Sequence, residues 1–153
     1  MINDAGHPAA LETLESELRH MQELFGPGVQ SPPNCFLHMQ AVYAHYESRS
    51  SLTVKFPVRT ESLNPVGVMQ GGYITAAFDN VFGPLSYLAA RRPCSTLDLH
   101  TQFVRSVKPG DTLTVKATVV SRGISTMLLT GEAFNGRGKL VASASANVVI
   151  MRG

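Results

Sequence analysis

The run from Gly72 to Ala90, GYITAAFDNVFGPLSYLAA, limits the possible fold more than any other part of the chain. It reads as one long helix that is apolar over most of its circumference, and such a helix has to be covered by something large. Two features look like faults in it. Adjacent glycines, Gly71 and Gly72, stand at its start, although glycine is a poor helix former. One carboxylate, Asp79, follows eight residues after Gly71, where apolar surroundings disfavour a charge. Gly72, Thr75, Ala76, Asp79, Gly83 and Ser86 recur at i, i+3 and i+4 steps, a narrow flank that lets another backbone or a ligand come close to the acid.

The segments around this helix predict strands. Upstream, Cys35 to Val58 reads as extended chain, and Leu52, Val54, Phe56 and Val58 alternate with Thr53, Lys55 and Pro57. RTESLNP then makes a turn or loop. Downstream of Arg91-Arg92-Pro93, Leu97, Leu99, Thr101 and Phe103 share a face in STLDLHTQFV, and Leu113, Val115, Ala117 and Val119 share one in TLTVKATVV. TMLLTGEAF and LVASASANVVIM follow, with turns at KPGD, at Ser121 to Gly123 and at NGRGK. Strands joined by short turns imply an antiparallel sheet. The economical α+β arrangement is a curved sheet wrapped around the one long central helix.

Ahead of this unit, PAALETLESELRHMQELF, residues 8 to 25, places Leu11, Leu14, Leu18, Met21 and Phe25 on one helical face. Pro8 suits the first turn, Gly26-Pro27 stops the helix, and the loop GPGVQSPPN follows. The stripe is expected to pack on its own domain or on a sister subunit. The chain thus divides into an N-terminal helix and loop, 1–34, and a main domain, 35–153.

Composition narrows the function. The 153 residues suffice for one domain with a real core, and 44% hydrophobic against 16% charged residues is a globular balance. A formal charge of +2 with scattered lysines and arginines gives no basic tract for nucleic acid. No apolar run reaches membrane-spanning length, and Asp4, Glu12 and Glu15 fall where a signal peptide would have its apolar core, so a cytoplasmic location is expected. His7, His20, His38, His45 and His100 show no ligand spacing with cysteine or acid, so no metal is expected. Cys35 and Cys94 read as buried free thiols.

The chemistry centres on the helix start. The first four amides of a helix have no internal acceptor, and the macrodipole makes that end partly positive. Glycine there admits a ligand close to the amide, which suits a carbonyl oxygen that turns negative during attack. Gly71 and Gly72 equally suit a tight loop-to-helix turn. Asp79 could be a general base or a nucleophile, with Phe78 and Phe82 as apolar neighbours, or an acid that pairs at a subunit contact. Asn64 and Gln70 supply neutral amides able to hold a carbonyl or a water, or to satisfy a loop backbone. Thr96 opens the next strand, where β-propensity alone would explain it.

The run NPVGVMQGGYITAAFDNVFGPLSYLA, followed by STLDLHTQFVRSVKPGDTLTVKATVVSRG, resembles the hotdog-fold acyl-CoA thioesterases. It is most similar to the phenylacetyl-CoA thioesterase-like branch, which also contains human acyl-CoA thioesterases. The resemblance spans about Leu52 to Met151 and leaves the N-terminal helix outside. Its signature of an Asn, a Gly, a His-Gly-Gly and an acid on the central helix falls on Asn64, Gly67, Gly71, Gly72 and Asp79, with Gln70 in place of the histidine. Glutamine can position but cannot titrate.

The resemblance implies hydrolysis of a CoA thioester at a homodimer interface, with no cofactor and with a homotetramer as a further assembly. The Gly71 amide of one subunit would face Asp79 of the other, Gln70 and Asn64 would orient thioester or water, and Thr96 would hold that water or the acid. Gly72 would lie along the CoA, whose phosphates would meet cations such as Arg105 or Arg122, with Arg91, Arg92 and Arg137 as other candidates. A hotdog module that binds an acyl or CoA ligand without cleaving it is the alternative.

Overall fold

The computed structural model describes residues 8–152. In chain order it holds α1 (Pro8–Phe25), α2 (Asn34–His38), β1 (Val42–Glu47), β2 (Ser51–Pro57), a 3₁₀ turn (Thr60–Ser62), α3 (Gly71–Ala90), β3 (Cys94–Phe103), β4 (Thr112–Arg122), β5 (Thr126–Phe134) and β6 (Leu140–Ile150). The strands form one antiparallel sheet in the order β1-β2-β4-β5-β6-β3.

Helix α3 lies against the concave face of this sheet, as its apolar circumference requires. Ile74, Phe78, Val81, Phe82, Leu85 and Leu88 are buried against inward residues of the strands, among them Val54, Phe56, Val115, Leu129 and Val148. Phe78 and Phe82 stack at 5.9 Å, and both rings press on Gly131 of β5, where even a Cβ would meet them at 3.0–3.1 Å. A full side chain at 131 has no room, so the sheet and the helix are in close contact there.

Residues 35–58 differ from the extended chain their pattern predicts. Cys35 to His38 belong to α2, because Pro33 sets an extended N-cap and Phe36 is drawn into the core against Tyr43 and Phe56, with ring centroids 4.6 and 6.5 Å away. One buried aromatic in five residues leaves no periodic signal. The remainder splits into β1 and β2 around Arg49, which turns in the left-handed region at φ 59°.

Strand β3 is the last strand at its edge of the sheet and is mostly exposed on both faces. A bulge between Thr96 and Asp98 pushes Leu97 outward, while Thr101 stays against the helix through a 3.1 Å hydrogen bond with Thr75. Helix α1 docks across β1 and the C-terminal half of α3. Leu14 and Met21 are buried, and Leu11, Leu18 and Phe25 are half-buried, so the predicted stripe is the packed face. The Tyr46 hydroxyl of β1 donates to Glu17 Oε2 at 2.6 Å and ties the helix down.

Candidate active site

The segment before α3 is a tight loop built by Asn64. Its Oδ1 accepts from the amides of Val66 and Val68 at 3.1 and 3.2 Å, its own N–H donates to the Val68 carbonyl, and Gly67 takes φ 79° to close the turn. The side-chain oxygen of Asn64 is therefore engaged with backbone, leaving its NH₂ group for any ligand. Met69 donates to Val107 and Gln70 to Ser62, which fixes the exit from the loop and the direction of the helix.

Gln70 is the N-cap. Its carbonyl accepts from Tyr73 and Ile74 at 3.0 and 3.2 Å, while its exposed side chain makes no capping bond. Among the described residues the amides of Gly71 and Gly72 donate to no protein acceptor. Two free donors thus stand at the positive end of a 20-residue helix. The Phe103 ring closes over Gly71, 2.9 Å from where a Cβ would sit, whereas Gly72 faces open space. The close approach of a ring explains glycine at 71, and no neighbour forces it at 72.

Asp79 is exposed on the small-residue flank of α3. Its Oδ1 accepts from Thr96 Oγ1 at 3.2 Å, and it makes no ion pair among the described residues. Phe78 and Phe82, its sequence neighbours, lie in the core rather than around it. Asp79 and Thr96 border a cleft of about 500 Å³ that runs along α3 past Asn80, Gly83 and Pro84 to Tyr87. Both cysteines border it as well. Cys35 is exposed, contrary to its reading as a buried thiol, and donates to Asn80 Oδ1 at 3.1 Å. Cys94 is buried, and burial raises its thiol above the usual range, so it stays protonated. Burial likewise pushes the Tyr43 phenol in the cleft wall up to about 12, which keeps it a neutral donor.

Within one chain the helix-start amides and Asp79 are not neighbours. Eight residues of helix separate Gly71 from Asp79 by about 12 Å along the axis, too far for both to touch one carbonyl group. Arg105 Nη1 donates to the Leu140 carbonyl at 2.8 Å, and Arg122 Nη1 to the Ala89 carbonyl at 2.6 Å, where it neutralises the C-terminal end of α3. Each guanidinium keeps further N–H groups beyond these backbone bonds.

The sequence reading missed the residues that α1 and its loop bring to the cleft. The apolar stripe of α1 was visible, but nothing in it told which surface the stripe would meet.

An antiparallel sheet packed on one long helix is a fold with known relatives. The chain belongs to the thioesterase superfamily, whose model matches residues 66–142. Its fold is the hotdog fold with an added N-terminal helix. The PaaI protein of the E. coli phenylacetic acid degradation operon superposes with TM-score 0.79 at 19% identity, covering 94% of this chain and 97% of that one. A phenylacetic acid degradation-related protein of Ralstonia eutropha JMP134 gives 0.74 at 29% identity, covering 88% and 98%. The protein smu.793 of Streptococcus mutans UA159, solved bound to acetyl CoA, gives 0.70 at 24% identity, covering 82% and 95%. No curated protein matches the chain.

Proposed function

We propose that this protein is an acyl-CoA thioesterase that hydrolyses a CoA thioester to a free acid and CoA at sites shared by two subunits. The observation that carries the reading is the state of Asp79: an exposed carboxylate, oriented by Thr96 and unpaired, at the border of a cleft. An acid placed for stability alone would be paired or capping a helix; this one is held by one hydroxyl and left open.

The helix geometry supports a shared site: Gly71 and Asp79 are about 12 Å apart in one chain, and a second α3 running antiparallel would bring its acid to the first helix start. Leu97 and Phe103 on the edge strand and Val104 just past it, each more than half exposed, fit the contact this requires, as does the exposed Gly72 at the start of α3. In that dimer the Gly71 amide of one subunit receives the thioester oxygen. Asp79 of the other either deprotonates water or attacks the carbonyl to give a mixed anhydride. In the first route the C–S bond breaks after hydroxide adds, and the sulfur takes the proton back from Asp79 so that CoA leaves as the thiol. In the second, attack by the carboxylate expels CoA as the thiolate, and water then cleaves the anhydride to the free acid and restores Asp79. Gln70, with its side chain free, orients the carbonyl or the water, and the Asn64 NH₂ group backs it. Gly72, with open space at its Cα, lets the pantetheine arm pass, and Arg105 and Arg122 offer their remaining N–H groups to the CoA phosphates.

The similarity to smu.793, which binds acetyl CoA, supports a CoA ligand. The second reading, a non-catalytic module that binds an acyl or CoA ligand, is favoured only by Gln70, which cannot titrate as a histidine would. A panel of aromatic and aliphatic acyl-CoA esters with a thiol reagent separates the two. Release of free thiol supports hydrolysis, and saturable binding without release across the panel supports the module.

A further inference from the structure

The family match begins at residue 66, yet much of the cleft beside Asp79 is built by residues ahead of it. Leu18, Met21 and Phe25 of α1 and Val29 of the following loop face Pro84 and Tyr87 of α3 across the opening. Phe25 meets Tyr87 edge to face, with centroids 5.7 Å apart and planes at 86°, two helical turns beyond Asp79. Among the described residues, Asp79 apart, no carboxylate, lysine, arginine or histidine lines the space.

We infer that the N-terminal helix and loop form the acyl-chain wall of the site, with the Phe25–Tyr87 pair as its end stop, and that the substrates are uncharged acyl groups of medium length. This rests on the acyl-CoA reading above. The argument is one of length and solvation. From Asp79 to Tyr87 the cleft follows eight residues of helix, about 12 Å. An extended hydrocarbon with bonds of roughly 1.5 Å advances about 1.3 Å per carbon, so an acyl chain of about nine carbons spans that distance. Each methylene laid on this apolar wall strengthens binding about fourfold. A terminal carboxylate would lose its hydration against the same wall with no cation to meet it. Because α1 and its loop lie ahead of the matched family segment, the part of the wall they supply is separate in the chain from Gly71 and Asp79.

The test uses the full-length protein and two series, acyl-CoA esters from acetyl to dodecanoyl plus succinyl-CoA, and the matching non-hydrolysable thioethers. The expected kcat/KM rises about fourfold per methylene to about nine carbons and then levels or falls. Succinyl-CoA is expected to run at least tenfold below butyryl-CoA. Phe25→Ala moves the break to longer chains, and Val29→Trp lowers the octanoyl-to-butyryl ratio about tenfold. Neither residue is fully buried, so both variants are expected to fold. A flat profile, an acetyl optimum, or a break unmoved by either variant overturns the inference. If no ester is hydrolysed, the hydrolase reading fails, while the thioether dissociation constants still decide the wall: tightening with length upholds it, and indifference to length refutes it.

Discussion

Thr96 Oγ1 donates to Asp79 Oδ1 across 3.2 Å, linking the start of β3 to the middle of α3 and aiming the one carboxylate of the central helix. The bond is a single contact to an exposed acid, so it governs direction more than stability. Thr96→Val removes the donor and keeps the shape. The expected result is a rate lower by about 2- to 10-fold, as for loss of one hydrogen bond, with an unchanged melting temperature. Steady-state hydrolysis and a thermal melt on one preparation check it.

Gln70 takes the helix N-cap through its main chain and keeps its side chain free. Gln70→Ala should therefore leave stability within about 0.5 kcal/mol and slow hydrolysis by less than Asp79→Asn does. Denaturant titration and kcat/KM test both halves. A larger loss at Gln70 than at Asp79 would show that their roles are reversed.

The glycines at 71 and 131 are set by rings, and the one at 72 is not. Gly131→Ala drives a methyl into Phe78 and Phe82, which are fully buried and stacked, so overpacking should cost about 1–3 kcal/mol in urea unfolding. Gly72→Ala meets open space in a helix and should instead stabilise the free fold by about 0.4–1 kcal/mol. The opposite signs make the pair a control for each other.

Most of the fold was legible in the sequence because its signals are local and repeated. The period of two in β2, β3 and β4 and the 3.6-residue stripe of α1 each extend over seven residues or more. Helix α2 was not legible, since a single residue, Phe36, decides it through contacts with Tyr43 and Phe56. The site was legible as a set of residues but not as an arrangement. Gly71 and Asp79 are close in sequence and yet cannot meet within a chain. Asn64, chosen for its amide, turned out to hold its own loop. The cleft wall was hidden because an apolar stripe tells what is buried, never against what.

Docking of α1 depends on pH through Tyr46. Burial, and then its bond to Glu17, push this phenol up to about 12 from the usual 10. The neutral phenol is the form the fold favours, so the anchor is complete below pH 10 and is lost as pH rises from there through 12. Stability should fall across that window in the wild type and fall less in Tyr46→Phe, which starts about 1.5–3 kcal/mol lower for want of a bond to a charged group. Urea midpoints from pH 8 to 11.5 show whether the two curves converge.

The central claim is that one site takes its amide from one chain and its acid from another, and mixing two dead variants tests it most directly. Gly71→Pro removes the amide at the first helical position, where the proline ring suits the helix start and Gln70, at ψ 141°, already has the backbone that precedes a proline; its Cβ meets the tip of the Phe103 ring, which is more than half exposed and swings aside into solvent. It should lose about 100- to 1,000-fold in rate, and Asp79→Asn about 100- to 10,000-fold. Refolded together in equal amounts, half of the dimers pair one variant with the other, and each of these regains one intact site, so activity should return to about a quarter of wild type. Mixtures no more active than the separate variants, despite proven exchange of subunits, would contradict the account.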